Sequence, residues 1–528
     1  PAFSLILCTA IAAPAQTPKP DAGDSRDTRV EKLYQSITIR ATPLEPIFEL
    51  RNAETFRRTL FSRDDQVLHL LDLGINAGQH EGGGKSLEIR RYGFNLDHGG
   101  VNGGLKIMID NIQQNQGTQG HGQGYLGALK SLTPELVEEV DIINGPFNAE
   151  YGDFSGLGVV HIRLRESLPE KYTLRGQVGS FDSRRAFLGW SPLWKDTEAV
   201  FGYEVSDADG PFLKPLGYRR DNLTGNMTRT LRASRSAGLR FNLGRNDFNS
   251  SGQLPLDEVA AGRLDRFGFL DPGDGGQARA GSASLFLRRE NSDGSVWKVD
   301  GFLARSLFDL YSNFTFFLND PAHGDGIQQH DSRLQQGANI QYLRPQRAGP
   351  VVGTLATGAN FHANQVNVGL YPRVNRTPLG VTTRAQAAIT NAAGYLQESL
   401  SLLGGRLQLG GGIRYDVFRF DLDDRVDPVS SRAAAAGRWQ PKASFAWKPA
   451  SRVPVTAYAN YGRGISSLDA RGITASERGA HLATTDFYQA GLSHAGRRTS
   501  LVAGMFWISR SDEIVYIPDD GSLEFNGP

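Results

Sequence analysis

Few residues in this chain stand at spacings that would support catalysis or metal binding. The segment 82–86 (GGGKS) looks like the end of a phosphate-binding loop, but that pattern requires a glycine where the chain has Gln79. Asp97, His98 and His121 are metal-ligand types, yet no pair of them has a recognised ligand spacing. The sequence therefore favours a flexible loop at 82–86 and surface or ligand-facing histidines, and it predicts neither a metal site nor a cofactor.

The sequence also lacks the motifs of other reaction classes. The chain contains no Gly-x-Ser-x-Gly elbow and no His-Glu-x-x-His motif, which hydrolases and zinc proteases require. Its only cysteine, Cys8, lies in an apolar stretch at the start, which excludes thiol chemistry in a processed protein. The 57 basic and 56 acidic residues give a net charge of +1, so nothing draws the molecule towards nucleic acid. We expect neither an enzyme nor a DNA-binding protein.

The beginning of the chain indicates export. Residues 1–15 read as the remnant of a secretory signal peptide, with an apolar run that ends in the cleavage pattern Ala-Pro-Ala. Residues 16–45 are polar and rich in Pro, Asp, Arg and Lys, so we expect a flexible periplasmic tail. Beyond the leader there is no run of about 18 apolar residues, and any membrane span must therefore be a barrel.

The rest of the chain divides by its pattern into two units. Residues 46–166 mix a helix-like segment at 64–74 with short β runs and glycine-rich loops, which predicts a compact α+β domain. Residues 167–528 consist of segments that alternate apolar and polar side chains, roughly fifteen of them, joined by connections that are either long or tight. The alternation predicts antiparallel strands with one face towards lipid.

A soluble β-sandwich would alternate in the same way, but a dry core would exclude the charged residues that recur on the second face. A water-lined barrel lumen accepts them. The pleat predicts that the bilayer-facing side chains include Leu239, Phe241, Trp297, Val299, Leu409 and Ile413. It places three of their polar neighbours in the lumen, namely Arg240, Lys298 and Gln408.

Five ordered blocks resemble the plug of TonB-dependent outer-membrane receptors. They are 89–93 (IRRYG), 107–111 (IMIDN), 136–146 (LVEEVDIINGP), 149–152 (AEYG) and 156–162 (GLGVVHI). The residues that match the plug motifs are Arg90, Asp110, Gly145, Pro146, Tyr151, Gly152 and Gly158. Two positions depart from the family pattern, because Asn111 stands for the usual Gly and Asn144 for the usual Arg. The second departure puts in doubt a salt bridge from that arginine to the barrel wall.

The resemblance implies a mainly β protein in which an N-terminal α+β plug (46–166) closes a transmembrane antiparallel β-barrel (167–528). Plugged barrels of this kind have about 22 strands. Roughly fifteen segments therefore predict an incomplete barrel, cut off at both ends, with two open edges. The implied location is the outer membrane of a Gram-negative bacterium. We expect a monomeric barrel surrounded by lipid that imports a scarce ligand of the iron–siderophore, cobalamin or oligosaccharide class. A passive porin-like or surface-adhesion barrel is the alternative.

The resemblance also indicates where partners bind. A β-prone stretch near the mature N-terminus pairs with TonB in this family. The best candidate here is the first β-branched run after the tail, which consists of Gln35, Ser36, Ile37, Thr38 and Ile39; its alternative is the first strand of the plug. Two plug loops face outward in the family and supply the ligand-binding candidates, which are Asn95, Asp97, His98, Asn115, Gln116, Gln119 and His121. A loop that is merely solvated is the alternative.

Overall fold

A computed structural model describes residues 104–121, 126–232, 234–450, 454–475, 481–495, 499–511, 513–517 and 519–526, and the backbone of three short strands before them. The leader, the tail, the candidate TonB segment and the helix-like segment 64–74 lie outside the described residues. So do the plug residues Arg90, Asn95, Asp97 and His98. No described helix is long and apolar enough to cross a membrane.

The first unit, here called the plug, is built around a five-stranded sheet with the order β1-β6-β7-β4-β5. Apolar side chains on one face of β4, β6 and β7 form its core, with Ile107, Ile142 and Ile162 fully buried. A separate hairpin pairs β2 with β3. The plug strands are β1 (Phe48–Arg51), β2 (Ile75–Gln79), β3 (Lys85–Ile89), β4 (Leu105–Ile109), β5 (Ile112–Gln113), β6 (Val137–Asn144) and β7 (Gly158–Leu164).

The second unit, here called the barrel, is one antiparallel sheet in which neighbours in sequence are neighbours in space. Its strands are β8 (Tyr172–Val178), β9 (Arg184–Trp190), β10 (Leu193–Trp194), β11 (Thr197–Ala208), β12 (Tyr218–Arg232), β13 (Arg235–Asn249), β14 (Gly275–Glu290), β15 (Val296–Ser312), β16 (Ile327–Ala348), β17 (Val351–Val374), β18 (Thr377–Pro378), β19 (Thr383–Leu402), β20 (Leu407–Asp424), β21 (Arg432–Trp447), β22 (Val455–Ser466), β23 (Ala483–Ala495) and β24 (Ser500–Arg510). Two short helices, α1 (Leu256–Ala260) and α2 (Ala470–Ala475), and a hairpin of β25 (Glu513–Tyr516) and β26 (Leu523–Asn526) lie in or after its connections.

In the described residues β8 pairs with β9 and β24 pairs with β23, and no register joins β24 to β8, which agrees with the open-edged barrel that the sequence predicts. Apart from the short β10 and β18, fifteen strands follow one another with antiparallel neighbours. An odd number makes the first and last of them run in the same direction.

The longest connections all lie at one end of the sheet. Those at one end, the long-loop end, include 209–217, 250–274, 313–326 and 467–482, while those at the other, the short-turn end, include 291–295 and 349–350. Several strands exceed the expected ~9–11 residues, and β17 has 24. These strands extend into segments that their polar composition marks as long loops, because the two-residue alternation of side chains continues there.

Burial confirms the predicted orientation of the strands. Leu239, Trp297, Val299, Leu409 and Ile413 are exposed on the outer surface. The intervening polar positions turn inward, and Arg240, for example, makes ion pairs with the plug. An apolar cluster that includes Phe420, Ile465 and Leu468 fills part of the lumen near the long-loop end, where α2 folds inward.

Candidate functional site

The plug segment 113–121 lies inside the barrel at the long-loop end and carries four of the predicted ligand-binding residues. Asn115, Gln116, Gln119 and His121 are all buried, which differs from a solvated loop. Asn115 belongs to the plug framework, because its amide accepts a hydrogen bond from Ile107 N at 2.6 Å and donates one to Leu105 O at 3.0 Å. A ligand role for these residues stays a prediction.

Gln116 connects the plug loop to the barrel wall. Its Oε1 accepts hydrogen bonds from Arg333 Nη1 at 2.8 Å and from Asn364 Nδ2 at 2.6 Å. Arg333, on β16, also donates to Thr118 O at 2.8 Å and pairs with Asp331 at 2.6 Å. One buried guanidinium therefore holds both the main chain and a side chain of the loop.

His121 lies farther along the same wall. Its Nδ1 forms a short hydrogen bond with the side-chain oxygen of Gln329 on β16, and its ring lies 6.0 Å from that of Phe308. Nearby, Gly120 N donates to Asp331 at 3.2 Å. A Cβ atom at Gly120 would collide with the main-chain carbonyl of His330, so this glycine allows the loop to approach the wall.

The connection that contains α2 covers the loop from the other side and acts as a lid on it. Ala470 N donates to Thr118 Oγ1 at 2.8 Å, and Arg471 Nη2 donates to Gln119 O at 2.8 Å. Arg471 pairs with Asp469 at 2.7 Å, and both side chains are buried. The site at the long-loop end is thus a shell of amides and two guanidinium groups, closed by the lid.

The motif residues of the plug fix its contacts with the barrel. Asp110 adopts a positive φ of 49°, and its Oδ1 accepts a hydrogen bond from Leu164 N at 3.1 Å. Gly145 also has a positive φ, of 83°. Gly152 faces the guanidinium of Arg414, which a Cβ at this position would strike. These positions explain why turn-forming residues and glycines recur at the end of each motif.

Two buried charges of the plug lie under the loop. Lys106 Nζ donates to Gln113 Oε1 at 2.7 Å and to Asp153 O at 3.1 Å. Burial lowers the pKa of Lys106 to about 8 and raises the pKa of Asp153 to about 6. Asp153 accepts hydrogen bonds from Ser467 N at 2.6 Å and Ser467 Oγ at 2.7 Å, so it also binds the lid connection.

A cavity of about 1460 Å³ lies between the plug and the barrel. It reaches the short-turn end at Arg406, and its lining mixes apolar side chains with polar ones, many of them amides, including Gln341, Asn360 and Gln397. Among the described residues, no group of three or more His, Cys, Asp and Glu side chains is arranged to hold a metal ion. The site can therefore bind a ligand through hydrogen bonds and charged side chains.

Sequence reasoning missed the partners that the barrel supplies to the plug. Asn144 stands where an arginine was expected to reach the wall, but the wall itself provides arginines. Arg414, on β20, donates to Glu150 O at 2.9 Å and pairs with Asp416 at 2.6 Å. Arg240, on β13, pairs with Asp110 at 3.0 Å. The alternation marks both arginines as inward-facing, but nothing local indicates which plug residue each one meets.

Comparison with known proteins gives two family matches. A model described as the TonB-dependent receptor plug domain matches residues 52–159, and a model of the TonB-dependent receptor-like β-barrel matches residues 179–527. A search of curated proteins found no match.

Solved structures share the fold. The ferric citrate transporter FecA in its unliganded form has a TM-score of 0.73 at 15% identity, over 89% of this chain and 70% of that chain. The closed form of the ferric-catecholate import receptor Fiu from E. coli K12 has a TM-score of 0.66 at 14% identity, over 90% and 75%. The ferric yersiniabactin uptake receptor FyuA from Yersinia pestis has a TM-score of 0.66 at 13% identity, over 89% and 74%.

Proposed function

The chain belongs to the TonB-dependent receptor family, and from that premise we propose that it binds an oxygen-rich, anionic iron chelate outside the cell. Movement of the plug then admits this cargo to the periplasm. Outer-membrane uptake is the activity of the family. The iron chelate is our choice among the three expected ligand classes, and cobalamin and oligosaccharides are the alternatives.

The observation that carries this choice is the shell of amides and guanidinium groups at the long-loop end. Arg333 and Arg471 are buried there, each paired with an aspartate two residues away. An anionic ligand oxygen can take the place of such a carboxylate and keep the charge-assisted hydrogen bond. Gln116, Gln119 and His121 add neutral donors and acceptors. The names of FecA, Fiu and FyuA describe ferric citrate, ferric catecholates and ferric yersiniabactin, which are ligands of this chemistry.

Binding to the purified receptor tests the ligand class. Ferric citrate, a ferric catecholate, cobalamin and a neutral oligosaccharide are titrated in parallel by calorimetry. We expect Arg333→Gln to weaken chelate binding about 10- to 100-fold, the value of a charge-assisted hydrogen bond. Arg419 is the matched control, because it forms a similar pair with Asp421 at 2.7 Å on the exposed face of β20. Binding of cobalamin or the oligosaccharide alone would replace the iron assignment.

Energy coupling is proposed to involve the segment Gln35 to Ile39, by addition of a strand to TonB. Pairing of this kind uses main-chain N–H groups, so Ile37→Pro removes a donor and fixes φ, whereas Ile37→Val preserves both. Cells with the proline variant should bind the chelate normally and fail to import it. Normal uptake by the proline variant would exclude this segment as the coupling site.

The proposal extends to architecture and location. We propose a signal peptide segment at 1–15, a periplasmic tail at 16–45, a plug at 46–166 and the membrane barrel at 167–528. The family's proteins lie in the outer membrane of Gram-negative bacteria, and we propose that location and a monomeric barrel here. Buried contacts between plug and wall support gated uptake over a passive pore. Growth of a deletion strain on defined iron and glycan sources tests the transport role.

A further inference from the structure

The plug is attached unevenly to the barrel that surrounds it. Strands β8, β9 and β11–β14, here called the ion-paired wall, meet acidic plug residues with arginines. Strands β15–β23, here called the hydrogen-bonded wall, bind main-chain and neutral side-chain groups of the plug, partly through charged wall residues such as Arg333 and Arg414. In the described part of the chain, the ion pairs between plug and barrel all lie on the first wall.

The ion-paired wall grips the plug at two points. Glu135 pairs with Arg185 of β9 at 2.6 Å, and both side chains are buried. Arg240 of β13 reaches Asp110 at 3.0 Å and also Glu166, just after β7, at 2.8 Å. Separating such pairs would leave uncompensated charges in a buried setting. Detachment from this wall is therefore costly.

The hydrogen-bonded wall holds the plug differently. Gln397 of β19 accepts a hydrogen bond from Ala149 N at 2.7 Å, and Arg414 of β20 donates to Glu150 O at 2.9 Å. Arg414 keeps its own carboxylate, Asp416, on the barrel. When the plug moves away, this guanidinium stays paired, and the plug carbonyl and N–H groups can bind water instead.

The cavity lies mostly against this second wall. Its lining touches the ion-paired wall at Arg240 on β13 and Arg288 on β14, but most of it runs along the second wall, through Asn339 and Asn360 to Gln489 on β23. The plug and the wall are thus already apart over the part of the lumen that leads to the short-turn end. Its amide-rich lining can exchange hydrogen bonds with a polar cargo without a strong preference for one orientation.

We propose that the cargo leaves the long-loop site through this cavity, along the hydrogen-bonded wall, while the plug remains docked on the ion-paired wall. The segment that moves is the one around Ala149, and Ser131 and Glu135 stay in place. This inference rests on the proposed function, because it assigns the route of the same cargo.

Two disulfide tethers with matched chemistry test the route. On the hydrogen-bonded wall, a Cβ at Gly412 would lie 3.3 Å from Ala149 Cβ, close to the separation in a disulfide. On the ion-paired wall, a Cβ at Gly244 would lie 2.5 Å from Ser131 Cβ, so the two backbones must move apart by about 1 Å to reach disulfide geometry. The double variants A149C/G412C and S131C/G244C are made with Cys8→Ser, and mass spectrometry verifies each disulfide before and after reduction.

Uptake of radiolabelled ferric citrate by energised cells is then compared in the oxidised and reduced states. We expect the A149C/G412C tether to abolish uptake and reduction to restore it, while the S131C/G244C tether leaves uptake unchanged. Equal effects of the two tethers, or block by the second alone, would overturn the route. If the receptor without tethers imports no ferric citrate, it is the proposed function that fails.

A second measurement needs no cargo. Hydrogen exchange of the purified receptor is followed in detergent micelles with increasing urea. Plug peptides covering 146–158, which face the hydrogen-bonded wall, should lose protection at lower urea than peptides covering 127–137, which face the ion-paired wall. Simultaneous loss, or the reverse order, would contradict the division of the plug on which the route depends.

Discussion

Substitution of Glu135 tests how strongly the plug is fixed to the barrel. Its carboxylate pairs with Arg185 at 2.6 Å, and the two side chains are 3% and 7% exposed. Breaking a buried pair by removal of one partner costs about 3–5 kcal/mol. Arg185 also contacts Glu204 at 2.6 Å, so it keeps one carboxylate in the variant. We therefore expect Glu135→Gln to destabilise plug docking by about 3 kcal/mol, at the lower end of that range.

The assay is hydrogen exchange of plug peptides across a urea series, with the full chain in detergent micelles. With a denaturant slope of about 1–3 kcal/mol per molar, the expected loss lowers the urea midpoint by about 1–3 M. Glu138→Gln is the matched control, because Glu138 is 49% exposed and pairs with Arg165 at the plug surface. Such surface pairs contribute about 0–1 kcal/mol. An unchanged midpoint in Glu135→Gln, or an equal fall in both variants, would refute the assignment of Glu135 as an anchor.

Three further predictions concern the lipid face, the buried acid and the docked loop. Leu409→Arg should lower the stability of the barrel in vesicles by about 2–4 kcal/mol while Gln408→Arg has a mild effect; urea titration measures both, and equal losses would contradict the orientation of β20. Burial raises the pKa of Asp153 to about 6, so the folded state takes up a proton more readily than the unfolded state. Plug stability should therefore rise by about 1 kcal/mol when the pH falls from 7 to 5. The variant Asp153→Asn should lack this increase. Gly120→Ala should loosen the loop from the wall and cost about 1–3 kcal/mol by overpacking, whereas Gly394→Ala, which meets open space, should leave the midpoint of plug exchange unchanged.

Local patterns in the sequence predict most of the barrel. The side-chain period of two places Leu409 outside and Gln408 inside because a strand has no other choice of faces. The same reasoning finds the plug motifs, since Gly145 and Gly152 stand where a positive φ or a close approach to the wall excludes a side chain. The lengths of the strands are harder to predict from sequence. A strand that continues beyond the membrane with mostly polar side chains resembles a loop.

The partners across the lumen could not be predicted. Gln116 meets Arg333 at a sequence separation of 217, and this meeting depends on the register of every strand between the plug and β16. The contact between the lid connection and the plug is equally hard to predict from sequence, because the connection at 467–482 contains both apolar and charged residues. Only its position over the plug shows that Leu468 belongs to a core and that Arg471 binds Gln119.

The length of β17 determines how far the barrel extends beyond the membrane. Its 24 residues span about 80 Å at a rise of about 3.3 Å per residue. With a tilt of about 45° they rise about 55 Å, roughly twice the height of an apolar band of about 25 Å. Because β16 and β17 meet in a tight turn at the other end, the excess stands above the membrane as a hydrogen-bonded rim. In the outer-membrane location proposed above, an antibody from outside would first meet this rim and the loops on it. Escape variants should accumulate in connections such as 250–274 and 313–326, where substitutions need not preserve the pleat.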